Sequence, residues 1–158
     1  MDKTRRNPSP RIITPDQAVA RLESLCGRSE RCTSELALRL RRWHIDDDCA
    51  QKILEHLRRA GFLNDSRFAR AFARDKALLS RWGPRKIAMA LRIKGISSND
   101  ISKSLAEVPE EVFEENLVVL LGSKGSKGKA SLWRAAAMRG YAPDMISRLL
   151  RTDFSEFD

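Results

Sequence analysis

The sequence predicts an all-α fold, an extended, curved array of three tandem three-helix repeats. Three observations point there. Val, Ile and Thr nowhere alternate with polar residues over the length of a strand, so no sheet is expected. Apolar residues instead recur three and four apart through most of the 158 residues. The outline of helix, turn, short helix, turn, helix also returns about every 45 to 50 residues, the period of tandem supersecondary units.

The repeat is visible residue by residue. A forward shift of about 45 positions lays Phe68 on Phe113, Phe72 on Leu117, Ile87 on Leu132, Leu91 on Ala136 and Gly95-Ile96 on Gly140-Tyr141. A backward shift of about 51 lays Ile87 on Leu36, Leu91 on Leu40, Ile96 on Ile45 and Leu105 on Leu54. The expected division is a basic N-terminal tail over 1–13, repeats over 14–63, 64–108 and 109–152, and an acidic tail over 153–158. In such arrays each unit mainly touches its neighbour, which leaves long concave faces and few enclosed pockets.

The opening residues are polar and basic, contain Pro8 and Pro10, and cannot bury much apolar area. Thr14-Pro15 reads as an N-cap with proline at the first helical position; Ala18, Leu22 and Leu25 follow at helical spacing, and Gly27 closes the segment. A second helix begins near Thr33 or Ser34 and carries Leu36, Leu40 and Trp43. Asp46, Asp47 and Asp48 sit where the macrodipole favours acids, at the start of a third helix with Ile53, Leu54 and Leu57 inward and Gly61 as its stop.

Asn64 or Asp65 caps the fourth helix. At about 100° per residue, Phe68, Phe72 and Leu79 share one face, while Arg67, Arg70, Arg74 and Arg81 share another. Gly83-Pro84 ends it and starts a short helix with Ile87 and Leu91 inward and Arg85 and Arg92 outward; Gly95 stops that one. Ser97 or Ser98 caps a helix holding Ile101 and Leu105, and Pro109 is the next boundary. A helix loaded with Glu110, Glu111, Glu114 and Glu115 at its start turns Phe113, Leu117 and Leu120 or Leu121 inward. The Gly122–Lys129 loop, a helix with Leu132, Ala136 and Met138, and a last helix from Pro143 with Met145, Ile146, Leu149 and Leu150 complete the chain.

Thirty Lys and Arg against 21 Asp and Glu give a formal charge of +9 and a pI near 10.0. That balance favours a polyanion or an acidic protein surface as partner. No apolar run approaches the roughly 18 to 20 residues that cross a bilayer, and no apolar core follows the charged N-terminus, so a cytoplasmic protein is expected. Three cysteines fit reduced, buried thiols.

Leu117–Leu121 followed by GSKGSKGK mimics a phosphate-binding loop, but five residues, not four, separate Gly122 from Gly128-Lys129. Ala130 also stands where the magnesium-binding hydroxyl is needed. Cys26, Cys32, Cys49, His44 and His56 match no paired zinc spacing, and neither histidine lies in a nucleophile context. The expectation is therefore no enzyme, no cofactor and no metal. The positive signal is the arginine stripe with Arg85, Lys86, Arg92 and Lys94 after it, among which Asp75 is the lone acid. Phe68 and Phe72 read as core, and Trp82 as packed under the turn.

At GFLNDSRFARAF and GPRKIAMALRIKGI the chain resembles the RecX family of bacterial regulatory proteins. The matching residues are Gly61, Phe62, Leu63, Asp65, Arg67, Phe68, Ala69, Gly83, Pro84, Arg85, Lys86, Ile87, Leu91, Lys94, Gly95 and Ile96. His44 departs from the family's frequent glycine, Asn64 from its commoner acid, and the Gly122–Lys129 loop is atypical. The resemblance implies a non-enzymatic modulator that lies in the groove of the RecA filament on single-stranded DNA and restrains strand exchange and ATP hydrolysis by RecA; a monomer is expected. The expected RecA- or DNA-binding face is Arg67, Arg70, Arg74, Arg81, Arg85, Lys86, Arg92, Lys94, Lys124, Lys127 and Lys129. A general basic DNA-binding helical-repeat protein is the alternative.

Overall fold

The structure, a computed structural model, describes residues 12–123 and 127–155, with side chains to Arg151. Most of the expected N-terminal tail, residues 156–158 and Lys124 lie outside the described residues. Among those described there are nine helices and no strand: α1 (Pro15–Arg28), α2 (Thr33–Arg42), α3 (Asp47–Arg59), α4 (Asp65–Leu78), α5 (Pro84–Ile93), α6 (Ser98–Ala106), α7 (Glu110–Ser123), α8 (Lys129–Met138) and α9 (Pro143–Ser155). The chain forms two compact units, Met1–Asn64 and Asp65–Asp158.

Local chemistry explains where these helices begin. Thr14 and Gln17 form a reciprocal capping box, with Thr14 Oγ1 accepting from the Gln17 N–H at 3.2 Å and Gln17 Oε1 from the Thr14 N–H at 3.1 Å. Asp46 Oδ1 accepts from the Cys49 N–H at 2.9 Å, and Ser97 Oγ from the Asp100 N–H at 3.2 Å. Asp46 and Ser97 are partners under the backward shift. Cys32, Gly83 and Gly128, which the same two shifts relate, precede the short helices α2, α5 and α8 and give no side-chain cap bond.

Helix ends repeat as faithfully. The N–H groups of Ile45, Phe62, Ile96 and Tyr141 each reach back five residues, to the carbonyls of Leu40, Leu57, Leu91 and Ala136 at 3.1, 2.9, 3.1 and 3.2 Å. The residue before each is left-handed: His44 at φ 57°, Gly61 at 81°, Gly95 at 78° and Gly140 at 93°. These are Schellman stops with an apolar residue after the turn. His44 adopts the conformation despite its Cβ, at the site where the family resemblance leads one to expect glycine.

In the first unit Ala18, Leu22, Leu36, Leu40, Ile53, Leu54, Leu57 and Leu63 form one core. In the second, α4 packs on α5, α6 and α7, and its Ala69, Ala73 and Ala77 are fully buried, so neighbouring helices come close there. Phe113, Leu117 and Leu121 of α7 face Leu132 and Ala136 of α8 and Ile146 and Leu150 of α9 in the packing of those three helices.

Several expectations are corrected. Helix α4 stops at Leu78, short of Gly83, so wheel arithmetic fails beyond that point. Leu79, expected inward, is 81% exposed, and Arg81 lies in the linker with φ 54° rather than on the helical stripe. Met138 is exposed on α8, Gly27 falls inside α1 instead of closing it, and α9 continues through Ser155 into the segment expected to fray. Leu117–Leu121 is helical, the conformation a phosphate-binding strand excludes.

Candidate interaction surfaces

Every described residue of the expected binding face belongs to the second unit, but the geometry sorts them onto separate surfaces. Positions Phe72 and Lys76 lie about 160° around α4 from Arg74 at 3.6 residues per turn. One flank of α4 is thus aromatic and lysine-bearing, and the other carries arginines.

On the first flank Phe68 stacks on Phe72 with ring centroids 5.8 Å apart, and Trp82 meets Phe72 edge-on at 6.4 Å. Phe68 is buried; Phe72 and Trp82 are half-buried, so Phe72 is less of a core residue than expected. Lysines lie over these rings. Lys76 Nζ is 4.6 Å from the Trp82 centroid, Lys86 Nζ is 4.3 Å from it, and Lys94 Nζ is 5.8 Å from Phe68 and 6.0 Å from Phe72. Each such contact is worth about 0.5–1 kcal/mol at exposed sites, and together they hold three positive charges in one place. Sequence reading missed Lys76. The signal was present, because Lys76 is one turn beyond Phe72 on the same face.

On the other flank Arg70 Nη1 is 3.6 Å from Glu107 Oε1 and Arg74 Nε is 3.7 Å from Asp75 Oδ1. These exposed pairs contribute little to stability. The two arginines border a cavity of about 320 Å³ floored by Leu78, Val108, Pro109 and Val112. Arg67 is half-buried one turn earlier. Arg85 and Arg92 are exposed on α5, and Lys127 and Lys129 are exposed at the start of α8.

The linker between α4 and α5 is tied to the turn between α8 and α9. The N–H groups of Gly83 and Arg85 donate to the carbonyls of Arg139 and Gly140 at 2.7 and 2.9 Å, so the end of α8 caps the start of α5. Tyr141 Oη donates to the Arg81 carbonyl at 2.8 Å, and Arg139 Nη1 to the Ser80 carbonyl at 3.1 Å. The backbones meet so closely that a Cβ on Gly83 would fall 2.6 Å from Tyr141 N, and one on Gly140 2.9 Å from Lys86 Cα. Burial pushes the Tyr141 phenol up to about 12, against the opposing pull of the Arg139 and Arg81 charges. This junction fixes where Arg81 leaves the backbone.

None of the three cysteines is in a disulfide; Cys32 is buried and Cys26 and Cys49 are half-buried. Among the described residues no group of three or more His, Cys, Asp or Glu could hold a metal, and no helix is long and apolar enough to cross a membrane.

Residues 64–105 match the family pattern described as "RecX, second three-helix domain". The chain is 31% identical over 124 residues to Regulatory protein RecX of Mycobacteroides abscessus, covering 73% of this chain and 61% of that protein, less than two thirds of its length. It is 29% identical over 133 residues to Regulatory protein RecX of Ectopseudomonas mendocina, covering 80% and 88%. Its fold is similar to the crystal structure of RecX from Lactobacillus salivarius, with a TM-score of 0.77, 19% identity and coverage of 87% of this chain and 95% of that one.

Proposed function

We propose, on the premise that the chain belongs to the RecX family of regulatory proteins, that it binds the RecA filament on single-stranded DNA along its groove and inhibits the recombinase and ATPase activities of RecA. It does so without catalysis of its own, as a cytoplasmic monomer. The observation that carries the reading is a coincidence of place. The segment matching the family pattern, residues 64–105, is also where Lys76, Lys86 and Lys94 gather over an aromatic row and where Arg70 and Arg74 border an open cavity. A filament that combines acidic protein surface with a nucleic-acid backbone is the kind of partner such a surface suits.

The test is steady-state ATP hydrolysis by RecA filaments preassembled on single-stranded DNA. The purified protein should slow it at substoichiometric or near-equal amounts; hydrolysis unchanged at excess protein would sink the proposal. A second reading, a general basic DNA-binding protein, draws support from the lysines set over Phe72 and Trp82. It requires tight binding to DNA alone with a steep dependence on salt, because released counterions drive such binding.

A further inference from the structure

The second unit leaves aliphatic side chains in solvent beside its arginines. Leu78 is 55%, Leu79 81% and Val119 45% exposed, and all three line one cavity of about 290 Å³ with Arg81 and Arg139 at its edge and no carboxylate in its wall. Leu78 also lines the cavity bordered by Arg70 and Arg74, so the two cavities adjoin along α4 and α7. Asn116 Nδ2 donates to the Ala77 carbonyl at 2.7 Å and pins these helices together beneath them. The result is a groove with Leu78, Leu79 and Val119 among serines and arginines, Arg81 and Arg139 at one end, and at the other Arg74 and the Arg70–Glu107 pair.

Nucleic acid makes poor use of such a groove. Phosphates would take up the guanidinium groups, but Leu79 and Val119 offer no aromatic face for a base to stack on and would stay wet. A protein segment with aliphatic side chains next to carboxylates uses both features, as amphipathic segments do in apolar grooves. The backbone of Arg81 is held by Tyr141, and the Arg139 guanidinium is held by the Ser80 carbonyl, with further N–H donors remaining on that guanidinium.

We infer that the α4–α7 groove receives a short acidic, aliphatic-bearing segment of a protein partner. Its aliphatic side chains rest on Leu78, Leu79 and Val119, and its carboxylate faces Arg81 and Arg139. The inference rests on the reading that the RecA filament is the target, and it assigns the protein part of that filament, not its DNA, to this groove.

The test uses the full chain with Leu79→Ser and Val119→Ser together, a change that leaves charge untouched. Both side chains are exposed, so thermal melting should match the parent; Leu79→Ala alone serves as the gentler variant. Binding is measured to RecA filaments on single-stranded DNA and, separately, to the same DNA alone. The expected result is about a tenfold loss of filament affinity, the size lost with buried interface anchors, and unchanged affinity for DNA. Arg81→Gln should give a smaller loss of the same kind. Unchanged filament affinity in the double variant would overturn the inference and leave the functional reading standing. So would an equal loss towards DNA alone, which would give the groove to nucleic acid. A parent protein that binds no filament would overturn the functional reading and this inference together.

Discussion

The two flanks of α4 carry the same sign of charge on different foundations. On one, lysine ammonium groups lie over Phe68, Phe72 and Trp82, so their charge is tied to rings that also reach into the core. On the other, Arg70 and Arg74 sit at 3.6 and 3.7 Å from exposed carboxylates beside an aliphatic cavity. Cations on the first flank are coupled to folding, whereas those on the second are nearly independent of it. A basic stripe in a sequence is therefore not one surface, and its members should respond differently to mutation.

The strongest way to break this contrast is at Phe68. Phe68→Ala should cost about 3–5 kcal/mol in chemical denaturation, as large core truncations do, while Arg70→Ala should cost within about 0.5 kcal/mol. Similar losses from both would erase the distinction.

Next in size is a comparison of two glycines at equivalent stops. Gly95 and Gly140 have φ of 78° and 93°, but a Cβ at Gly95 meets open space and one at Gly140 meets Lys86. Gly95→Ala should cost only the left-handed penalty, about 1 kcal/mol, and Gly140→Ala about 3 kcal/mol because backbone must also move. Equal costs would mean that the junction between the α4–α5 linker and the α8–α9 turn yields easily.

Charge reversal sharpens the functional side. Arg70→Glu with Arg74→Glu should weaken RecA-filament binding about tenfold with helicity and melting retained, since these guanidinium groups lie outside the core. Unfolding of that variant would show the arginines to be structural.

The smallest effect is at Tyr141, the only tyrosine in the chain. Its phenol is raised to about 12 from an ordinary value of 10.0, so the fold favours the neutral form. Its contribution is fully present below about pH 10 and is lost as pH rises through about 12. Ultraviolet difference titration should place the phenolate midpoint near 12, and Tyr141→Phe should cost about 1 kcal/mol at neutral pH while flattening the alkaline loss. A midpoint at the ordinary value would remove the buried hydrogen bond to the Arg81 carbonyl.

Much of the fold was legible in the sequence, for local reasons. Caps and stops are written in single residues, and Thr14, Asp46, Ser97, Gly61, Gly95 and Gly140 act where their chemistry implies. The inward faces of α2, α3 and α7 followed from spacing. Legibility failed where a local rule was carried past its range. Leu79 and Arg81 were placed by helical arithmetic, but the helix ends at Leu78, and Arg81 turns left-handed there while the Trp82 N–H reaches back to the Lys76 carbonyl at 3.0 Å. Contacts distant in sequence left no periodic trace. The meeting of Gly83 with Gly140 and the bond from Tyr141 to Arg81 are set by packing of the α4–α5 linker against the α8–α9 turn only after the chain folds. The lysine surface was legible in part: helical spacing puts Lys76 on the Phe72 face of α4, but Lys86 and Lys94 join it only through packing between elements.

The proposed function has the second unit recognise protein together with nucleic acid. Co-sedimentation of the purified chain with RecA, in the presence and absence of single-stranded DNA, and with the DNA alone, tests this most directly. The chain should pellet with RecA filaments on DNA and be retained far less by DNA alone at the same salt. Equal retention by bare DNA, or none by the filaments, would contradict it.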